Sequence, residues 1–114
     1  MKLWIDDVRP APEGYVWCKS VNNAKAQIEA VDYTNFFNHL PNDPTPNYED
    51  IKIELIDIDH DAGDYAHLGG DYIRLLDWLE ETGRNYPIRI HSQNPVGVQN
   101  MRRIIERNGW KEIR

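Results

Sequence analysis

The 114-residue chain contains a single cysteine, Cys18, with only two methionines and two phenylalanines. One thiol excludes a disulfide scaffold and suits a reducing compartment, so a cytoplasmic setting is expected. No apolar stretch approaches the ~18 residues that a membrane span needs. Met1–Asp7 lacks the apolar centre of a signal peptide and runs into two aspartates. Basic residues are the minority, 13 against 19 acidic, for a net charge of −6. That disfavours duplex nucleic acid, which needs a basic face. It leaves room for a small anionic ligand at a local site. Repeats at solenoid periods are also absent. What is present is a 40% apolar fraction that includes four tryptophans and six tyrosines. At this length the chain forms one domain over residues 1–114, burying roughly 65% of its unfolded surface in one modest core.

Hydrophobic spacing divides that domain into short elements. Lys2–Ile5 reads as a strand ending at Asp6-Asp7, and the loop that follows is punctuated by Pro10, Pro12 and Gly14. Tyr15–Lys19 reads as a second strand. Ser20 is an N-cap, and Val21, Ala24, Ile28 and Val31 form one face of a helix. A Pro/Asn-rich insertion at about 34–50 reads as a loop pinned by Phe36, Phe37 and Tyr48. Ile51–Asp59 is apolar on both faces, as a covered central strand would be. Gly69-Gly70-Asp71 leads into a helix carrying Tyr72, Ile73, Leu75, Leu76 and Leu79, which stops near Gly83. Ile88–Ser92 is a further strand. Asn94-Pro95 caps a helix that buries Val98, Met101, Ile104 and Ile105, and Trp110–Ile113 closes as a short strand. The order β-β-α-β-α-β-α-β predicts a mostly parallel five-stranded sheet with helices on both faces, its first helix reduced or missing.

In such sheets ligands bind beyond the carboxyl ends of the strands. Three strand ends carry polar groups: Asp6, Asp7 and Arg9; Asp57, Asp59, His60 and Asp61; His91, Ser92 and Asn94. Several ionised aspartates repel one another, so one holds a proton or a cation sits among them. Oxygen ligands suit magnesium, manganese or calcium. Alternatively Asp6 or Asp59 caps a turn and Asp57 pairs with a lysine or arginine. His60, flanked by aspartates, suits acid–base work or a structural hydrogen bond. Adjacent strand residues face opposite ways, which argues against a Ser92–His91 nucleophile. The helix start at Asn94-Pro95 offers the N–H groups of Val96, Gly97 and Val98 to an anion, with Gly97 keeping the approach open. Gly70 allows close backbone approach to a ligand or merely a turn. Arg9 either clamps a phosphate or neutralises its neighbouring aspartates. The aromatics Trp4, Trp17, Tyr65 and Tyr72 are base-stacking surfaces or simply core.

Three blocks carry a resemblance. Leu3-Trp4-Ile5-Asp6-Asp7-Val8-Arg9-Pro10, Asp59-His60-Asp61-Ala62-Gly63, and His91-Ser92-Gln93-Asn94-Pro95-Val96-Gly97 with Met101 resemble the cyclic-phosphate processing receiver-like family, in that family's order. The resemblance implies a divergent response-regulator receiver fold, a three-layer, flavodoxin-like α/β domain. It implies that Asp6 and Asp7 match an acidic metal-binding pair, that Asp59 lies near the phosphoacceptor position, and that His91-Ser92 replaces the receiver's hydroxyl residue. The chain departs from receivers in three ways: no lysine closes its last strand, the first helix looks absent, and histidines are added at two strand ends. Those departures count against phosphorelay signalling.

The resulting expectation is a small phosphoesterase acting on a cyclic phosphate or cyclic nucleotide, in RNA repair or in phage–host nucleotide-signal conflict. Asp6, Asp7 and Asp59 would hold a divalent cation, magnesium or manganese. Asp59, His60 and His91 would be catalytic. Arg9, Asp61, Gly70, Ser92 and Asn94 would bind substrate or phosphate. The alternative is a protein that sequesters a cyclic nucleotide without turnover. The partner in either case is a small anionic phosphate or nucleotide, not duplex nucleic acid or membrane.

Overall fold

A computed structural model describes residues 1–40 and 49–114. The elements are β1 (Lys2–Ile5), β2 (Tyr15–Cys18), α1 (Val21–Asn38), β3 (Leu55–Ile58), α2 (Ile73–Glu81), β4 (Ile88–Ile90), α3 (Pro95–Asn108) and β5 (Glu112–Ile113), with a 3-10 turn at Gly63–Tyr65. The five strands form one all-parallel sheet in the order β2-β1-β3-β4-β5. This is the receiver-like α/β fold. No helix among the described residues is long and apolar enough to cross a membrane.

The layering differs from the three layers and two covered faces expected. After β2, every crossover steps the same way across the sheet, and right-handed crossovers of one direction put their helices on one face. There α1 packs on α2 and α2 on α3. Leu3, Ile5, Cys18, Ile56, Ile58 and Ile88 meet Val21, Ala24, Ile28, Leu75, Leu76, Leu79, Met101 and Ile105 in a single core. Burial of each large aliphatic side chain is worth about 1.5–3 kcal/mol. Only the β1-to-β2 step runs the other way, and its crossover would have placed a helix on the opposite face. Residues 6–14 make that connection without one. Such a stretch can span about 30 Å, more than the length of a four-residue strand, so the chain can return to the start of β2 as a loop.

The register therefore sorts the strands cleanly. Trp4, Trp17, Asp57, Arg89 and Ile113 align on the face that lacks helices. The loop covers part of it: Trp4 Nε1 donates to the Arg9 carbonyl at 2.8 Å and Trp17 Nε1 to the Asp6 carbonyl at 2.7 Å.

Several expected boundaries move. Ser20 caps α1, its Oγ accepting from Asn23 N–H at 3.0 Å. The helix runs to Asn38, so residues 34–38 of the expected loop are helical; no glycine or proline interrupts the chain there, and Thr34 Oγ1 bonds back to the Ala30 carbonyl at 2.9 Å. Phe36 and Phe37 do not pin the insertion, being 62% and 43% exposed. Its described ends are fixed by polar pairs instead. Asn35 and Ile51 exchange two hydrogen bonds at 2.9 and 2.8 Å, and His39 meets Asp50 at 2.8 Å. Tyr48 and the prolines Pro41, Pro44 and Pro46 lie outside the described residues. The long apolar run becomes strand only from Leu55, because Lys2 of β1 pairs with Leu55 and leaves Ile51–Ile53 no ladder partner on that strand. Cys18 is buried and burial raises its thiol pKa to about 11, which leaves it unreactive.

Candidate functional site

The helix-free face meets the carboxyl edge of the sheet at a buried polar cluster. Asp6, Asp57 and His91 all project onto this side, since each lies an even number of residues from Trp4 or from a residue paired in its row. His91 Nδ1 lies 2.6 Å from Asp57 Oδ1 and His91 Nε2 lies 2.9 Å from Asp6 Oδ2. The imidazole stacks on Trp4, with ring centroids 3.9 Å apart and planes within 7°. Asp6 is fully buried and Asp57 nearly so. Ionised carboxylates only accept hydrogen bonds, so a ring bonded to two of them carries protons on both nitrogens. Burial alone would lower the His91 pKa, but the bonds to Asp57 and Asp6 outweigh it and raise it above its ordinary value. Burial would likewise raise Asp6. The N–H groups of Arg9 and Val8, at 2.9 and 3.0 Å, together with His91 hold it below the usual carboxylate range.

Above this cluster the edge opens. Asp6, Asp7 and Asp59 each present a carboxylate oxygen, and these oxygens lie within 4.8 Å of one another. Asp59 is held by the sheet, its N–H bonding the Ile5 carbonyl at 2.9 Å. Burial, with the neighbouring charges of Asp6 and Asp59, raises the Asp7 pKa despite a backbone hydrogen bond that lowers it. Gly63 packs directly on the Asp7 carboxylate, where a β-carbon would collide with Oδ2, and it adopts a φ of +54°. Glycine meets both demands at once.

The remaining expected residues are placed as follows. His60 Nδ1 pairs with Asp61 Oδ1 at 2.7 Å, and among the described residues nothing bonds its Nε2. Asp61 is thereby a partner of His60. Asn94 caps α3, its Oδ1 accepting from Gly97 N–H at 3.0 Å, while Val98 N–H bonds the Asn94 carbonyl at 2.9 Å. Two of the three N–H groups expected to face an anion are therefore taken. Nor is Gly97 an open approach, because the His60 ring packs on it. Ser92 Oγ accepts from Asn94 N–H at 3.1 Å. Gly70 N–H is spent on the Ala66 carbonyl at 2.7 Å, so it is not free for a phosphate. Arg9 does not neutralise its aspartates. Its guanidinium donates to the His91 carbonyl at 3.2 Å and, among the described residues, pairs with no carboxylate. Two of the aromatics are committed elsewhere: Trp4 to His91, and Tyr72 to the core, where its buried hydroxyl bonds the Lys19 carbonyl at 2.7 Å.

A family model described as the cyclic-phosphate processing receiver domain matches residues 1–107. The chain belongs to this family. No curated protein and no solved structure matches the chain. In this cyclic-phosphate processing receiver domain, the donor set fits a divalent cation. All three donors are hard carboxylates, and 4.8 Å lies within twice the ~2.3–2.6 Å of a calcium–oxygen bond, whereas a magnesium ion at ~2.0–2.1 Å would require oxygens that far apart to draw closer. Asp57 is the residue whose partner the sequence did not reveal, a lysine or arginine being the expected one. An aspartate inside an apolar strand requires a buried partner. Its place in the run, two residues before Asp59, was the available signal, but only the β3–β4 register identifies that partner as His91.

Proposed function

We propose that this receiver domain is a phosphoesterase that opens a small cyclic phosphate, of the kind carried by cleaved RNA ends or cyclic nucleotides. The observation that carries the reading is the convergence of Asp6, Asp7 and Asp59, with Arg9, held at the His91 carbonyl, a cation without a carboxylate partner among the described residues. Asp6, Asp7 and Asp59 would hold a divalent cation, which would supply charge neutralisation at the phosphoryl oxygens. Arg9 adds a forked donor for the same oxygens. His91 serves as a positioning residue: both of its nitrogens are occupied, and it fixes the rotamer and charge of Asp6. In hydrolysis a water oxygen bonds to phosphorus, one ring P–O bond breaks, the departing oxygen takes a proton from a donor, and the proton that the water loses restores that donor. His60, with Nε2 unbonded, is the donor this reading assigns, oriented by Asp61. The setting would be the cytoplasm, in RNA repair or nucleotide-signal conflict.

The test is incubation with ribonucleoside 2′,3′-cyclic and 3′,5′-cyclic phosphates, with magnesium, manganese or chelator, and detection of the ring-opened monoester by mass spectrometry. Cation-dependent opening is expected, abolished in Asp59→Asn. That variant keeps its fold, with stability unchanged or raised, since a mutually repelling charge is removed. Binding without any product would make the domain a sequestering protein. If no cyclic phosphate is either bound or opened, the reading fails.

A further inference from the structure

We infer that the groove beside the carboxylates, between the end of β2 and the Gly63–Tyr65 turn, is a nucleobase subsite, so that the ligand is a nucleotide rather than a simple cyclic ester. The inference deepens the cyclic-phosphate reading and rests on it. The groove encloses about 390 Å³ and is lined by Trp17, Lys19, Ser20, Asn23, Tyr65 and Leu68. That volume lies within the ~300–1,000 Å³ usual for small-molecule sites.

Its walls suit a flat heteroaromatic ring. Trp17 and Tyr65 are only half-buried, although most large rings of a small domain go to the core. The Lys19 ammonium sits 4.5 Å from the Trp17 ring centroid and 6.0 Å from that of Tyr65, where the two π-faces attract a cation. Leu68 closes one side, and Asn23 brings a side-chain amide that can both donate to and accept from a base edge. A base entering the groove would displace the ammonium, whose flexible stem lets it reach a phosphate instead.

The groove also borders the carboxylate site. Trp17 Nε1 bonds the Asp6 carbonyl at 2.7 Å. The turn that carries Tyr65 begins at Gly63, which packs on the Asp7 carboxylate. A nucleotide with its base against Tyr65 would thus hold its phosphate towards Asp6, Asp7 and Arg9. The neighbouring backbone is fixed independently of any ligand: Asn22 N–H bonds the Leu68 carbonyl at 3.1 Å and Tyr65 N–H the Ala62 carbonyl at 2.9 Å.

The experiment is a calorimetric titration of wild type, Tyr65→Ala and Tyr65→Phe with adenosine 2′,3′-cyclic phosphate, adenosine 5′-monophosphate and the base-free glycerol 1,2-cyclic phosphate. Circular dichroism confirms that each variant is folded. Tyr65→Ala is expected to weaken both adenine-bearing ligands about tenfold, in line with the worth of one stacked base, and to leave the base-free ester unchanged. Tyr65→Phe, which keeps the π-face, should retain wild-type affinity. Equal affinity of wild type for the cyclic nucleotide and the base-free ester would overturn the subsite and leave the cyclic-phosphate reading standing. Tyr65-dependent binding of the monophosphate, without binding of either cyclic ester, would keep the subsite and overturn that reading. Absence of binding by both adenine-bearing ligands, or a Tyr65→Phe defect as large as that of Tyr65→Ala, would also overturn the subsite.

Discussion

Gly97 sits in the first turn of α3 with an ordinary helical backbone, so alanine there should stabilise the helix by about 0.5–1 kcal/mol. The structure reverses that expectation. A β-carbon at position 97 would lie 2.5 Å from His60 Cγ, 2.6 Å from Cδ2 and 2.9 Å from Nδ1. Carbon contacts relax near ~3.5 Å, so the ring must retreat by about 1 Å. It is not free to do so: Asp61 holds Nδ1 at 2.7 Å, and only 15% of the side chain is exposed. Overpacking of this kind costs about 1–3 kcal/mol. Net of the helix gain, Gly97→Ala should destabilise the protein by about 1 kcal/mol, which lowers the melting temperature by about 4 °C at this chain length. In a His60→Ala background the obstacle is gone, and the same substitution should stabilise by about 0.5–1 kcal/mol. Urea unfolding of the four proteins closes a double-mutant cycle, with an expected coupling of about 1–3 kcal/mol. If Gly97→Ala stabilises the wild type as much as it stabilises His60→Ala, the His60 ring does not rest on α3 and its proposed orientation is wrong.

Asp57→Ala should cost about 3 kcal/mol in urea unfolding, because it strips one partner from a charged, largely buried histidine; a loss below about 1 kcal/mol would show that the Asp6 bond alone suffices. Arg102 forks onto Glu112 with Nε at 2.9 Å from Oε1 and Nη2 at 2.7 Å from Oε2, tying α3 to β5. The Arg102 hydrogen bonds are the main cause that holds the Glu112 pKa below its ordinary 4.5. A depressed carboxyl contributes stability above its unfolded pKa and loses it as pH falls through the folded value. Glu112→Gln should therefore cost about 1 kcal/mol at pH 7, with the gap to wild type closing below pH ~4.5. A deficit that does not shrink at all as the pH falls below ~4.5 would mean that packing, not charge, accounts for it.

Local chemistry was legible in the sequence wherever it acts over a few residues. The Ser20 and Asn94 caps, the prolines and glycine of residues 6–14, and the apolar spacing of α1, α2 and α3 each specify their own segment by sterics and hydrogen bonding. The gathering of Asp6, Asp7 and Asp59 at one edge also follows from strand ends alone, because parallel strands place their carboxyl termini together. The helical stretch 34–38 was hidden because Pro41 and the asparagines near it coloured a segment whose own residues carry no breaker. The unhelical face was hidden for a different reason: it depends on the order in which strands pair, and the β2-β1-β3-β4-β5 order sends three crossovers one way and a single one, without a helix, the other. The same order sets Asp57 beside His91 and His91 over Trp4. A buried aspartate announces that it needs a partner, but pairing is a property of register across strands 34 residues apart. Likewise a glycine at 97 reads as freedom in one dimension, and becomes a seat for His60 only when the end of β3 is brought against the start of α3.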